Sequence, residues 1–377
     1  MIYLNNAAGT RPYPEVIETV TDVLENHWGN PHDVTSFGHN AHMIINNVTQ
    51  QVADDINCDP DEIIWTSGAA EANSLAIMGL FNNNPDMYLY TTFLEHTSIN
   101  ELIKKIPNHR TGFITNDGFG RIHLHDLENV LVWNCSHNAK TLVSISLANS
   151  EIGVVQMIKP IAKIVHKYNG ILHVDATQVY PWYKVDVETL GIDLMSVSGQ
   201  KLHAPKGIGF LYVKDGIELQ PLIYGSQQAS RRGGTMPTHL IAAFGKALEL
   251  TRERDSADRV EKLRECMIYH LGNIDRAYLN GPLSHDRLPN IISLTIDGVN
   301  AETLVTMCDL MGVVIGKGSA CKSYEPKPSE ALMAIGLTEE QALNTIRISL
   351  DEFNTEEEID RAADIITQLV EQIRKNA

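Results

Sequence analysis

Six short apolar runs, separated by amphipathic stretches, constrain this chain more than any other feature. Residues 62–66, 87–92, 141–147, 171–174, 193–197 and 208–213 have the length and composition of strands. Stretches such as 71–81 and 160–168 carry apolar residues at helical spacing between them. That alternation predicts an α/β domain with a mainly parallel sheet flanked by helices. Length permits more: 377 residues, 43% of them hydrophobic, can bury one large core and a second, smaller one. From residue 251 to about 273 the chain is strongly charged, with apolar residues at helical spacing, and reads as one long helix leaving the large domain. The remaining residues read as strand 290–296, helix 301–311, a further strand, a loop and a helix, ending in the amphipathic stretch 355–375. The expected division is a large domain over 15–255 and a small α+β domain over 1–14 and 256–377.

Charge and cysteine usage narrow the function classes. There are 30 Lys+Arg against 47 Asp+Glu, a formal charge of -17, which argues against a face that tracks nucleic-acid phosphates directly. No run approaches the roughly 18 apolar residues of a membrane span, and the N-terminus lacks a basic region followed by an apolar core, so a soluble cytoplasmic protein is expected. The five cysteines, Cys58, Cys135, Cys266, Cys308 and Cys321, are odd in number and lack Cys-x-x-Cys spacing. Neither a disulfide framework nor a zinc site is expected, and no metal is assigned.

In open α/β sheets, ligands bind beyond the carboxyl ends of the strands. Small residues Ser67-Gly-Ala-Ala70 follow the first run and open a helix, where free N–H groups and the helix dipole suit a phosphate; small residues also simply pack such turns. Glu95-His96 follows the second, Asn149-Ser-Glu-Ile-Gly153 the third, and Asp175-Ala-Thr-Gln178 the fourth. Lys201 follows the fifth, among Ser198, Gly199 and Gln200. Taken alone, Lys201 reads first as a surface turn lysine, His96 as a structural histidine and Asp175 as a helix N-cap. Together they suit one ligand. Pyridoxal phosphate needs a phosphate cradle, a carboxylate for its pyridine nitrogen, an aromatic neighbour and a desolvated lysine able to form a Schiff base.

The motifs carry a resemblance. Tyr3-Leu-Asn-Asn-Ala-Ala8, Thr66-Ser-Gly-Ala-Ala-Glu71, Glu95-His96, Asn149 to Gln156, His173 to Gln178, Ser198-Gly-Gln-Lys201, Pro205-Lys-Gly207, Arg232-Gly-Gly-Thr235, Gly318-Ser-Ala-Cys321 and Ile346 to Leu350 run in order along nearly the whole chain. They resemble the cysteine desulfurases of the NifS/IscS type, in the class V aminotransferase family of fold-type I pyridoxal-phosphate enzymes. The resemblance implies that Lys201 holds the cofactor aldehyde and moves protons, and that His96 stacks on the ring and assists. Asp175 pairs with the pyridine nitrogen and Gln178 with the ring hydroxyl. Ser198, Gln200 and the Gly68, Ala69 and Ala70 backbone hold the phosphate. Thr235 reaches the phosphate of the other subunit, which implies a homodimer. Arg347, aided by Asn30, binds the substrate carboxylate. Cys321, between glycines and prolines and near Lys317 and Lys322, takes the sulfur of L-cysteine as a persulfide, leaving L-alanine, and passes it to an acceptor protein.

Departures from the family pattern sit in the cradle. Ala70 replaces a threonine, Gln200 a histidine and Ser150 an asparagine, each removing or altering a donor to the cofactor, and Asn5 stands where aspartate is common. Looser cofactor retention is expected, at about 1 kcal/mol per lost donor. Two other readings stay open. One is a selenocysteine lyase or another fold-type I enzyme such as an aminotransferase; the Gly318-Ser-Ala-Cys321 motif argues against the aminotransferase. The other is a degenerate paralogue acting as a scaffold in a sulfur-transfer complex. Iron–sulfur cluster assembly, tRNA thiolation and DNA phosphorothioation all begin with the same persulfide, and the acidic surface favours delivery through a protein.

Overall fold

The computed structural model describes residues 1–283, 286–318 and 327–376. In chain order, β1 (Ile2–Tyr3), α1 (Pro14–Asn26) and α2 (Ser36–Ile56) precede β2 (Ile63–Thr66), α3 (Ala69–Asn83), β3 (Tyr88–Thr91), α4 (Thr97–Ile103) and β4 (Thr111–Phe113). Next come α5 (Leu124–Ser136), β5 (Thr141–Ser146), α6 (Ile158–Lys167), β6 (Ile171–Asp175), α7 (Val187–Leu190), β7 (Leu194–Ser198) and β8 (Gly209–Val213). Two helices, α8 (Thr238–Arg254) and α9 (Ala257–Leu271), lead to β9 (Ala277–Leu279), β10 (Ile291–Ile296), α10 (Ala301–Leu310), β11 (Val313–Val314) and β12 (Gly316–Lys317). The chain closes with α11 (Glu330–Ala334), α12 (Glu339–Leu343), β13 (Thr345–Ser349) and α13 (Glu356–Asn376).

The large sheet has the order β2-β8-β7-β6-β5-β3-β4. From β7 to β4 the pairing is parallel, while β8 runs antiparallel to both neighbours. Successive side chains point to opposite faces of a strand, and here both faces are covered. Ile64, Leu89, Leu142, Leu194 and Leu211 pack under α3 and α4; Ile63, Trp65, Val143, Val174, Met195 and Phe210 pack under α2, α5, α6 and α8. Burial on both sides is why these strands read as continuous apolar runs instead of alternating ones. The mixed α/β architecture with a mostly parallel central sheet is the one expected.

A four-stranded antiparallel sheet, β12-β13-β10-β9, is built from the later residues, and β1 pairs with β11 in parallel. Its core joins Leu4 from the start of the chain to Met267, Leu294, Leu304, Ile348 and Ile366. The charged stretch 251–273 is not one helix. α8 ends at Arg254, Asp255 turns into the left-handed region at φ 41°, and α9 begins at Ala257. The break lets α8 bury Phe244 and Leu248 in the large core while α9 buries Val260 and Met267 in the other. Charges and apolar spacing continue across it, so periodicity alone could not mark it. Among the described residues, no helix is long and apolar enough to cross a membrane.

Candidate active site

The carboxyl ends of β3, β5, β6 and β7 open onto a cavity of about 750 Å³. Its lining contains Gly68, Ala69, Ala70, His96, Ser150, Asp175, Gln178, Ser198, Gln200, Lys201 and Arg347, so most of the residues singled out from sequence converge on one space. Asn30 and Thr235 do not line it. Asn30 is exposed after α1, with its side-chain oxygen accepting from the His32 N–H at 3.1 Å. Thr235 is also exposed, on a segment tied to the cradle by Arg232, whose Nε donates to Glu71 at 2.8 Å. Cys321 lies outside the described residues. The strand that precedes it reaches the site, since Gly316 and Lys317 line the cavity, and Lys317 pairs with Glu302 at 3.2 Å.

β6 terminates on Asp175, which is buried and doubly held: Asn73 Nδ2 donates to Oδ2 at 2.8 Å and the Thr177 N–H to Oδ1 at 3.0 Å. Asn73 also donates to Ser98 Oγ at 3.1 Å, and Ser98 Oγ lies 2.8 Å from His96 Nδ1. His96 Nδ1 accepts the Ser98 N–H at 3.1 Å, so the neutral ring carries its proton on Nε2. Sequence reasoning missed Asn73. Its signal was a polar residue among the apolar positions of α3, between Ala72 and Leu75, and its side chain is fully buried. Beneath this chain sits Glu95, which burial pushes up to about 7 while the hydroxyls of Ser146 and Thr92 oppose the shift.

β7 turns at Ser198 into a single 3-10 turn, Gly199–Lys201, that delivers the lysine to the cavity. Lys201 Nζ donates to the Ala8 carbonyl at 2.8 Å. Burial and the nearby Arg347 charge bring its pKa down to about 8, against the pull of Asp175. Across the cavity, Gly68 caps α3 at φ 140°, a backbone conformation suited to glycine. Gly209 must stay small as well, because a Cβ there would lie 2.7 Å from the Gly68 Cα. The first-turn N–H groups of α3 have no partner within the helix, and its dipole end favours an anion.

Arg347 projects from β13 and is positioned by two acceptors, the Ser150 carbonyl at 3.2 Å and Asn5 Oδ1 at 2.9 Å. Its Nε is buried without a hydrogen-bond partner, a donor left over in a site lined by polar groups. Burial lowers its pKa while Glu151 opposes the shift. Glu151 itself is pushed up to about 7 by burial, with Ser329 donating to it and Arg347 nearby. This donor set suits pyridoxal phosphate: an amine of lowered basicity, a fixed carboxylate, a helix N-terminus beside Ser198 and a spare guanidinium donor.

Residues 2–362 match the model of the family described as aminotransferase class-V. The chain belongs to that family. Among its relatives, cysteine desulfurase IscS 1 of Archaeoglobus fulgidus is 34% identical over 375 residues, spanning 97% of this chain and 96% of that protein. A cysteine desulfurase IscS of Dictyoglomus turgidum is also 34% identical, over 99% of this chain and 95% of the relative. Solved structures agree with the class-V assignment. A NifS-like protein superposes with a TM-score of 0.90 at 29% identity, covering 98% of this chain and 99% of that one. A structure described as SspA in complex with cysteine gives a TM-score of 0.81 at 30% identity, over 94% and 100% of the two chains.

Proposed function

We propose that this chain is a pyridoxal-phosphate-dependent cysteine desulfurase, converting L-cysteine to L-alanine and carrying the released sulfur on Cys321. The observation that carries the reading is the convergence of Lys201, Asp175 and Arg347 on one cavity at the ends of the large sheet. The full-length similarity to proteins named cysteine desulfurase supports the choice of reaction. Bound there, pyridoxal phosphate supplies an electron sink for the bond broken at the substrate α-carbon. Asp175, clamped by Asn73 and Thr177, would hold a proton on the pyridine nitrogen. Ser198 and the α3 N-terminus would hold the phosphate, Gln178 would pair with the ring hydroxyl, and His96, its neutral form protonated on Nε2, would stack on the ring. Gln200 and Ser150 stand where they can contribute donors from the cavity wall.

Lys201, with its pKa near 8, is neutral often enough at physiological pH to take the α-proton and later return one. Arg347 binds the substrate carboxylate; Asn30, which does not line the cavity, is left without a role there. The Cys321 thiol attacks the substrate sulfur. The substrate's carbon–sulfur bond breaks, an S–S bond forms on Cys321, and the carbon takes up a proton, so cysteine plus thiol gives alanine plus persulfide with atoms balanced. A protein acceptor then takes the sulfur. Thr235 would serve the phosphate of a second copy, which would make the working form a homodimer.

The test is to supply purified holoenzyme with L-cysteine and quantify alanine, persulfide and, with a reductant, sulfide. Equal alanine and sulfide are expected. Cys321→Ser should lose persulfide and sulfide with the cofactor spectrum intact, and Lys201→Ala should lose alanine as well. Alanine formation without Lys201, or sustained sulfide release without Cys321, would overturn the assignment.

A further inference from the structure

The cysteine spacing along the chain gives no reason to expect a metal, yet the fold assembles a mixed donor set outside the lining of the cavity. Cys266 and His270 stand four residues apart on α9 and therefore share one face. Asp360 comes from α13, which packs on α9 through Val260, Met267, Ile359 and Ala363. The His270 Nε2 lies 3.0 Å from Asp360 Oδ1, and the Cys266, His270 and Asp360 ligand atoms all fall within 4.8 Å of one another. Cys266 and His270 are half-buried and Asp360 is exposed, so an ion has both a wall and an entry path.

We infer that Cys266, His270 and Asp360 bind one divalent transition ion, with zinc the best match. One sulfur, one imidazole nitrogen and one carboxylate oxygen form a borderline-soft set, whereas magnesium and calcium require mainly oxygen. Zinc–ligand bonds of about 2.0–2.3 Å put ligand atoms roughly 3.5 Å apart, which side-chain rotation can reach from the present spacing. Three protein donors leave a fourth position for water. Burial raises the Cys266 thiol pKa, and Asp360 and Glu356 raise it further through a negative potential that also attracts a cation; binding replaces the thiol proton with the metal and releases that proton to solvent. The ion bridges α9 to α13 and stabilises the smaller core by mass action.

Holoenzyme stripped with a chelator is titrated with zinc against a chromophoric competitor, in the wild type, Cys266→Ser, His270→Ala and Cys321→Ser proteins. Wild type and Cys321→Ser should share one site that either of the other variants weakens by more than about tenfold, the lower bound for losing even an outer-sphere partner. Zinc should raise the wild-type melting temperature and leave that of Cys266→Ser and His270→Ala unchanged. Desulfurase activity in these two variants should match the wild type and reports that they are folded; Asp360→Asn serves if one of them fails. Zinc binding that is absent from the wild type, or unaltered by loss of Cys266 and His270, overturns the proposal.

Discussion

Arg347 shows how a substrate-facing charge is set by a residue at the far end of the chain. Its Nη2 donates to Asn5 Oδ1 at 2.9 Å, directly over Gly316, where a Cβ would lie 2.7 Å from that same oxygen. Asn5 is neutral, so the guanidinium keeps its full charge for an incoming carboxylate. Aspartate at this position would replace a neutral acceptor with a carboxylate, making the contact an ion pair that competes with the substrate. Asn5→Asp should therefore raise KM for cysteine roughly fivefold, the equivalent of about 1 kcal/mol, with kcat less affected. Steady-state kinetics check this; an unchanged KM means that Arg347 is not the carboxylate receptor. Arg347 was legible because a family motif surrounds it. Its dependence on Asn5 was not, because the contact joins β13 to the first few residues, and Asn73 escaped notice for the same reason, its partner Asp175 lying 102 residues on.

At the level of elements, legibility followed burial. Six of the seven strands of the large sheet stood out because their residues are largely buried; the edge strand β4, which has no buried residue, did not, and β1, β11 and β12 are two residues each and exist only through pairing with distant partners. The division of 251–273 into two helices was hidden for a related reason, since Asp255 carries no proline or glycine signal. Local caps are more predictable in effect. α10 begins at Asn300, whose side-chain oxygen accepts from the Glu302 and Thr303 N–H groups at 3.1 Å. The same first turn supplies Glu302, which holds Lys317, and both line the cavity. Asn300→Ala leaves two N–H groups without their acceptor and should lower unfolding free energy by about 1 kcal/mol. Urea denaturation measures this, and a midpoint equal to the wild type would show that solvent replaces the cap without loss.

Across the whole molecule, the lysine loop and the smaller sheet are joined by a buried pair. His203, two residues past Lys201, sits at φ 63° with Nε2 3.2 Å from Asp351, just beyond β13. Its Nδ1 lies 2.7 Å from the Arg11 carbonyl, and Tyr13 stacks on the ring at 4.3 Å. Burial disfavours the charged imidazole, but the Asp351 carboxylate and the Arg11 carbonyl outweigh it and raise the pKa above the ordinary histidine value. Linkage sets the sign. A histidine that binds its proton more tightly when folded contributes full stability below its unfolded pKa of about 6.5, and that contribution is lost as pH rises through the higher folded value. Unfolding free energy measured by urea from pH 5 upward should thus fall above about pH 6.5 more steeply in the wild type than in His203→Asn. Asparagine tolerates the left-handed backbone, so the comparison removes the titration without adding strain. Parallel pH profiles for the two proteins would show that the pair does not carry a proton in the folded state. A steeper wild-type decline would place a proton-dependent tie between the body that holds Lys201 and the sheet that carries Arg347, linking the geometry of the catalytic amine to that of the carboxylate receptor.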